Sequence, residues 1–303
     1  MLTTFVSILP IFAIILLGKI LRHYFYKSDD FWRISEKITY YVLFPALLVN
    51  SLMHASFHAH IGKAIAALVI ATLILAAILI ILQYFIKLEK PFFTSLFQGS
   101  VRYNSYIFIG VASALYGDNG VAIVAIVIAY MIILTNAISV FVLDAYIAQK
   151  GVNVLTMAKN MAKNPLIMAS IIGVLLNPLQ QYVPVTLSTF MDYLGNASLP
   201  LSLLCVGAGL DLMHVYARKG PIITISMVKL IVLPVISFIL LTAFGVEGLP
   251  KMIGVLYAAM PCAGNAYILA QQMGGDSTTM AAIISMTILL SIITIPIVLM
   301  LVH

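Results

Sequence analysis

Charged residues are scarce in this chain. Only 9% of its 303 residues are Asp, Glu, Lys or Arg, whereas 63% are hydrophobic and the mean hydropathy is +1.12. Apolar stretches of about 20 residues recur along the sequence, which is the length that a bilayer core of about 30 Å requires. The sequence lacks the short alternating segments of a membrane β-barrel. We therefore predict an all-α polytopic membrane protein.

Residue sets typical of enzymes and metal sites are also missing. The two cysteines, Cys205 and Cys262, both lie in apolar runs, which argues against a disulfide framework or a cysteine metal site. His54 and His58 have helical ligand spacing in "HASFHAH", but no Cys, Asp or Glu is close, so this stretch is interpreted as a solvated turn. We find no nucleophile–base set, HExxH motif or ATP-binding motif. We expect no enzyme activity, no metal and no cofactor.

Ten membrane spans are predicted from the apolar runs and the polar breaks between them. Stretches such as 27–33, 87–90, 117–120, 217–220 and 274–277 supply the breaks. The first run, from Phe5 to Leu17, is interpreted as a membrane helix because it lacks the flanks of a signal peptide. The predicted spans are 3–22, 36–54, 63–86, 91–115, 119–146, 164–181, 187–212, 219–243, 249–273 and 277–302.

The net charge of +6 is interpreted as a topology signal, and no nucleic-acid partner is expected. Of the sixteen Lys and Arg residues, twelve fall around the odd-numbered connections and only Lys63 and Lys251 fall on the even-numbered ones. Basic residues favour the cytoplasmic side. We therefore predict a protein of the cytoplasmic (inner) membrane with both termini outside.

The sequence contains an internal repeat. Pro10 and Gly18 are eight residues apart, as are Pro165 and Gly173, and a shift of 155 superposes the two pairs. Gly117-Asp118 and Gly275-Asp276 match with a shift of 158. Because each half has five spans, the second half must enter the membrane from the opposite face. The halves, 1–150 and 151–303, are therefore predicted to be inverted repeats, as in many secondary transporters.

The fourth span of each half carries an unusual polar patch. In "AAMPCAGNAYILAQQMGGD" (258–276), Pro261 cannot donate a backbone N–H and Gly264 loosens the chain. The matching stretch "SVRYNSYIFIG" (100–110) has no proline but contains five polar or aromatic residues in sequence. A break in a membrane helix persists only where protein or a wet cavity satisfies the backbone. We expect the two broken helices to cross at mid-depth and to present positive helix ends to an anion.

The segments 164–177, 199–212, 227–240 and 260–276 resemble the auxin efflux carrier family of membrane transporters, and the resemblance covers essentially the whole chain. It places the chain within a superfamily similar to the bile acid/sodium symporters, with crossed broken helices 4 and 9. It implies a scaffold of helices 1, 2, 6 and 7 and a mobile panel of helices 3–5 and 8–10 that moves as an elevator. The family often has a proline in helix 4, and its absence here leaves open whether this helix breaks.

The predicted substrate-binding residues cluster at the two patches. Asn104 and Asn265 are expected to contact the substrate, although capping of the freed backbone would explain them equally well. Lys229, about 15 Å deep at 1.5 Å per residue, is expected to attract a carboxylate or to replace a coupling cation; stiffening of the crossing is the alternative. The remaining candidates are Arg102, Tyr103, Ser105, Pro261 and Asn136. The alternative for Arg102 is a side chain that extends to the headgroups, and the alternative for Asn136 is a polar contact between helices.

Together these features predict a secondary active transporter of small organic anions, driven by a gradient or the membrane potential. The resemblance implies carboxylates, either dicarboxylates or auxin-like acids, and a homodimer through the scaffold. Whether a coupling ion takes part is left open. The alternative is a ligand-binding sensor or a channel without coupled transport.

Overall fold

The computed structural model describes residues 2–55, 61–148, 164–211 and 219–300, and every regular element in these ranges is helical. His58, His60 and the basic residues Lys150, Lys159, Lys163 and Arg218 lie outside the described residues. The α-helices of the first half are α1 (Leu2–Ile20), α2 (Asp29–Ile38), α3 (Phe44–Met53), α4 (Ile61–Ile86), α5 (Lys90–Val101) and α6 (Ser105–Leu143).

The second half repeats this helical character. Its α-helices are α7 (Pro165–Leu176), α8 (Val185–Ala208), α9 (Lys219–Met227), α10 (Leu233–Ala243), α11 (Gly248–Ala259), α12 (Ala266–Met273) and α13 (Ser277–Met300). Short π-helical turns extend α1, join α2 to α3, extend α6 and join α9 to α10, and a 3₁₀ turn follows α7. The turns keep the polypeptide helical through most of each predicted span.

Five helical runs among the described residues are long and apolar enough to cross a membrane. They are Phe5–Phe25, Ile61–Ile86, Lys90–Ile147, Lys219–Ala243 and Ser277–Met300. These runs establish a multi-pass membrane protein. The 58-residue run is too long for one crossing, and it contains both a helix break at 102–104 and a kink at Gly117, where φ is 60° and ψ is −152°.

Two predicted breaks are shorter than expected. The chain leaves the helix at 26–28 and resumes it at Asp29, so the predicted break over 27–33 is wrong for its second half. In the predicted break over 117–120, only Gly117 departs from helical geometry. A glycine in the left-handed region is sufficient to redirect the chain because it has no Cβ to clash.

One group of helices, α1, α3, α7 and α8, packs through close backbone contacts at glycines. A methyl group at Gly18 would overlap the Leu204 carbonyl oxygen, and one at Gly207 would overlap that of Ile15, so α1 and α8 touch backbone to backbone. On α7, a Cβ at Gly173 would lie 3.0 Å from the carbonyl oxygen of Val49 on α3. Small residues are how membrane helices gain packing energy where lipid is as apolar as the partner helix.

The carboxyl ends of α3 and α8 are each capped by a side chain from a helix that the other half contributes. The Asn177 amide donates to the carbonyls of Leu52, Met53 and Ala55 at 2.9–3.1 Å. The Lys19 ammonium donates to the Leu210 carbonyl, just beyond α8. The last carbonyls of a helix have no intrahelical partner, so these bonds satisfy groups that would otherwise be costly to bury.

Helices α4–α6 and α9–α13 form a second group, whereas α2 packs against α8 of the first group. α4 packs against α10 and α11, α5 packs against α13, and α11 packs against α6 and α13. The loop before α13 is tied to α5, because the Ser95 hydroxyl donates to the Asp276 carbonyl at 2.9 Å. The Asp276 carboxylate caps α13 through the backbone N–H of Thr279 at 2.9 Å. These contacts fix the positions of the broken helices.

We predict that Gly207→Ala destabilises the protein, because the added methyl group would overlap backbone that cannot rotate away. Overpacking of this kind costs about 1–3 kcal/mol. Thermal unfolding in detergent should show a lower midpoint. Gly62→Ala is the matched control, since nothing lies within 4 Å of its Cβ position, and it should be neutral or slightly stabilising. Equal stability of the two variants would contradict the close packing of α1 on α8.

Candidate functional site

The first break separates α5 from α6 without a proline. α5 ends at Val101, and Arg102 and Asn104 have extended backbone, with ψ of 153° and 104°. The Asn104 side chain accepts hydrogen bonds from the N–H groups of Tyr106 (3.0 Å) and Ile107 (3.1 Å). Asparagine is among the strongest helix N-caps, so its side chain stabilises a new helix start where the family often has a proline. The predicted patch is therefore a helix break.

The second break separates α11 from α12. α11 ends at Ala259, and the chain is not helical again until Ala266. Pro261 lies buried in this gap, as its missing N–H and its ring would predict. The next N–H, that of Cys262, donates to the Thr287 hydroxyl on α13 at 3.1 Å. The backbone that the break releases is thus satisfied from a neighbouring helix.

The two breaks contact each other directly. The Asn104 N–H donates to the Pro261 carbonyl at 2.8 Å, joining the backbone of one break to that of the other. A guanidinium nitrogen of Arg102 donates to the side-chain oxygen of Asn265 at 2.9 Å. Asn104 is 3% exposed, whereas Asn265 is exposed. The junction therefore has one closed side and one side that is open to a ligand.

Two basic side chains are buried beside this junction. Lys229 is fully buried in the π-helical turn Val228–Val232, and Arg102 is 5% exposed. Among the described residues, Lys229 Nζ, Arg102 Nε and one terminal nitrogen of Arg102 have no hydrogen-bond partner. Among all the described residues, the ion pairs join Arg22 to Asp29 and Arg33 to Asp30. Within that part of the chain, neither buried cation therefore has a carboxylate partner.

The positions of Arg102 and Lys229 test the structural alternatives to substrate binding that the sequence left open. Because Arg102 is buried in protein, it does not extend to the headgroups. The Lys229 amine is not bonded to helix-end carbonyls; it lies 5.7 Å from the centre of the Tyr257 ring, within range of a cation–π interaction. That ring in turn lies 4.7 Å from the ring of Tyr103. An aromatic pair thus links Lys229 to the first break.

Sequence reasoning missed Gln98, Thr287 and the location of Cys262. The Gln98 amide is fully buried, and neither its nitrogen nor its oxygen has a partner among the described residues. Its position one helical turn before Arg102 is the signal that would have found it. The Cys262 thiol lies 3.9 Å from the Gln98 carbonyl oxygen.

The remaining candidates are placed less centrally. Tyr103 is buried and its hydroxyl donates to the Ile128 carbonyl at 3.4 Å, while Ser105 is half-buried at the start of α6. Asn136 is half-buried further along α6, and no hydrogen bond within the described ranges joins it to either break. His54 contacts the carbonyl of Asn50 through Nδ1 at 3.0 Å, and the described residues contain no cluster of metal ligands.

The expectation that the two new helix starts present their positive ends to an anion needs revision, because their first N–H groups are already bonded. At α6, the first N–H groups are already bonded to the Asn104 side chain. At α12, the N–H groups of Ala266 and Tyr267 donate to the carbonyls of Ala263 and Gly264 at 3.1 and 3.2 Å. The charge available to an anion at this junction is therefore chiefly that of Arg102 and Lys229.

The chain was compared with known protein families. Residues 3–299 match the family described as "Membrane transport protein". The chain belongs to this family. The match covers nearly all of the sequence and confirms the resemblance to auxin efflux carriers. It also supports the expectation of a transporter rather than an enzyme.

A curated relative adds a more specific comparison. A protein of Rhizobium meliloti (strain 1021) named "Putative malonate transporter" is 28% identical over 207 residues. The aligned region covers 66% of the present chain and 63% of the relative. The similarity therefore spans less than two thirds of the relative's length.

We predict that Thr287→Val destabilises the second break, because it removes the acceptor of the Cys262 N–H and leaves a buried donor unpaired. Such a loss costs about 1–3 kcal/mol. The matched control is Thr294→Val on the same helix, since the Thr294 hydroxyl has no partner among the described residues. Thermal unfolding should be lowered for Thr287→Val only. The same unfolding midpoint for both variants would show that the bond from Cys262 to Thr287 does not stabilise the second break.

Proposed function

We propose that this protein is a secondary active transporter that moves small organic anions across the cytoplasmic membrane. The observation that carries the proposal is the pair of buried basic side chains, Arg102 and Lys229, with unpaired nitrogens beside two touching helix breaks. A buried charge is costly unless it is paired, and ionisable residues within membrane spans usually mark a substrate path. A carboxylate bound at the junction would supply the missing partner.

The proposed substrate class is a short dicarboxylate. Two cationic groups suit a ligand with two negative charges, since a monoanion would leave one cation uncompensated. The name of the Rhizobium meliloti relative, "Putative malonate transporter", supports the same class. The proposed contacts are Arg102 and Lys229 for the carboxylates, and the exposed Asn265 for orientation. Asn104 and Pro261 hold the junction, with Tyr103 and Ser105 beside it, and Asn136 on α6 is proposed as a further contact.

The proposed layout is ten spans in two inverted five-helix repeats, 1–150 and 151–303. Reciprocal contacts support it. Under the shift of 155, the contact of Gly18 with Leu204 becomes the contact of Gly173 with Val49, with the halves exchanged. The capped carbonyls of Ala55 and Leu210 are also related by 155. Exchanged partners are what a two-fold relation between the halves produces.

The proposed mechanism is an elevator. The helices that pack through glycines, α1, α3, α7 and α8, would form the scaffold with the α2 segment. The second group, α4–α6 and α9–α13, would form the panel that carries both breaks. Because the Asn104–Pro261 bond lies wholly within this second group, the panel can move without breaking the site. The proposed orientation has both termini outside, from the distribution of Lys and Arg.

We expect purified protein in proteoliposomes to take up labelled malonate with saturating kinetics. The rate should shift when the membrane potential is clamped at different values, because a dianion or a charged carrier crosses the field. Unlimited, non-saturating flux would indicate a channel. Binding without flux would indicate a sensor, and neither result would support a transporter.

The two cations should be tested in the same assay with Arg102→Gln and Lys229→Gln. A hydrogen bond to a charged group is worth about 1.5–3 kcal/mol, so each change should raise the half-saturating concentration roughly 10- to 100-fold. Malonate should raise the unfolding temperature of the unaltered protein and not that of Lys229→Gln. Lys251→Gln is the control, since that ammonium lies over the Phe238 ring at 4.7 Å, away from the junction. Normal affinity in both site variants would refute the proposed site.

Layout and motion should be tested by labelling intact cells with a membrane-impermeant thiol reagent. Lys63→Cys should react from outside, and Lys27→Cys only after permeabilisation. Asn265→Cys should react to an extent that malonate changes, because substrate shifts the panel between its two positions. The measured quantity is the labelling in excess of that of the unaltered protein, which contains Cys205 and Cys262. Labelling of Lys27→Cys in intact cells would overturn the orientation, and unchanged labelling of Asn265→Cys would count against the elevator.

A further inference from the structure

We propose that a basic cavity at the end of α1 binds the phosphate headgroup of an anionic lipid. The cavity is a largely open depression in the surface, with a volume of about 320 Å³, and its lining residues are Lys19, Arg22, His23 and Lys27. Lys19 and Arg22 are half-buried, whereas His23 and Lys27 are exposed. It lies at the end of the scaffold group and uses none of the residues assigned to the transported anion, so the inference does not depend on the proposed function.

The walls of this cavity are held in place by contacts between the π-helical turn Leu21–Phe25 and the start of α2. Arg22 forms an ion pair with Asp29 at 2.5 Å. The Trp32 indole N–H donates to the Tyr26 carbonyl at 2.7 Å, and the rings of Tyr26 and Phe31 stack at 5.1 Å. Lys19 is fixed by its bond to the Leu210 carbonyl. The basic groups therefore converge on a preformed cavity.

Exposed aromatic side chains place this cavity at the membrane–water boundary. Tyr24, Phe25 and Tyr26 are 68%, 71% and 52% exposed, directly between the lining residues His23 and Lys27. Aromatic residues concentrate at the headgroup level of membrane proteins. Leu17 and Ile20, also exposed, continue the same helix toward the hydrocarbon. A lipid whose phosphate occupies the cavity would find apolar surface for its acyl chains next to it.

The charge balance favours an anion. Lys19, Arg22 and Lys27 carry three positive charges. The nearby carboxylates are that of Asp29, which pairs with Arg22, and that of Asp211, which follows the carbonyl that Lys19 binds. The neighbouring Asp30 is paired with Arg33 at 2.6 Å. Clusters of Lys and Arg beside a membrane helix attract anionic lipids, and charge-assisted bonds to phosphate are among the stronger polar contacts. A free phosphate would share this chemistry but would gain nothing from the apolar surface.

The chain provides its own reporter, because its single tryptophan, Trp32, donates to the carbonyl of Tyr26, next to the lining residue Lys27. The full-length protein should be reconstituted in phosphatidylcholine with either brominated phosphatidylglycerol or brominated phosphatidylcholine. Bromine quenches tryptophan fluorescence at short range. We expect stronger quenching by the brominated phosphatidylglycerol. Equal quenching by the two lipids would overturn the proposal.

Charge variants show whether the cavity causes the preference for phosphatidylglycerol, measured as its stronger quenching of Trp32. Each removed cation should weaken the preference about fivefold, so Lys27→Gln should reduce it and Arg22→Gln with Lys27→Gln should abolish it. Asp29→Asn should strengthen it, because Arg22 is then freed for phosphate; a purely structural role of the ion pair predicts the opposite. The double variant of Lys63→Gln and Lys251→Gln is the control and should keep the preference. Persistence of the preference without Arg22 and Lys27 would refute the site.

The source of the phosphate is tested by competition. Inorganic phosphate and sodium chloride should be added at equal ionic strength. If the lipid occupies the cavity, the two salts should reduce the preference equally, through screening alone. Selective loss of the preference with inorganic phosphate would assign the cavity to a soluble anion and overturn the lipid assignment.

Discussion

The bond between the Asn104 N–H and the Pro261 carbonyl joins the two helix breaks, and the candidate site depends on it. In a membrane, a helix can stop only where other groups take up the hydrogen bonds that it gives up. Here one backbone bond joins the two breaks, and local carbonyls and side chains take up other freed groups. Asn104 caps α6, and Thr287 accepts from Cys262. The two breaks therefore stabilise each other.

The same junction accumulates buried polar groups that protein does not pair. Gln98, Arg102 and Lys229 lie around Cys262 with nitrogens or oxygens that have no partner among the described residues. Natural proteins contain few such groups, and each one calls for an explanation such as a bound ligand, ion or water. Two cations without a carboxylate in a transport-family protein are most simply explained by a substrate that brings its own negative charge. In the proposed function, stability and transport would be linked, because a bound substrate would compensate the charges that the fold leaves unpaired.

The two groups of helices pack in different ways. In the glycine-rich group, α1 meets α8 and α3 meets α7 through backbone contacts that admit no side chain. In the group that carries the breaks, glycines face side chains instead, as Gly99 faces Ile283 and Gly254 faces Leu241. Close backbone packing resists deformation, whereas the second group bonds its own loops together, as Ser95 does with Asp276. This difference is consistent with one rigid frame and one unit that moves as a whole.

The sequence by itself determined the class of protein, because 63% hydrophobic residues with 9% charge fit only a lipid environment. It also located both breaks, since Pro261 and the polar run after Val101 are incompatible with an ordinary membrane helix. It could not decide whether the first break needed a proline, because capping by Asn104 depends on where its side chain points. The tertiary structure alone brought Gln98, Arg102, Lys229 and Thr287 together from three separate helical segments. Long-range neighbours of this kind leave no local pattern in the sequence, and they decide which polar groups stay unpaired.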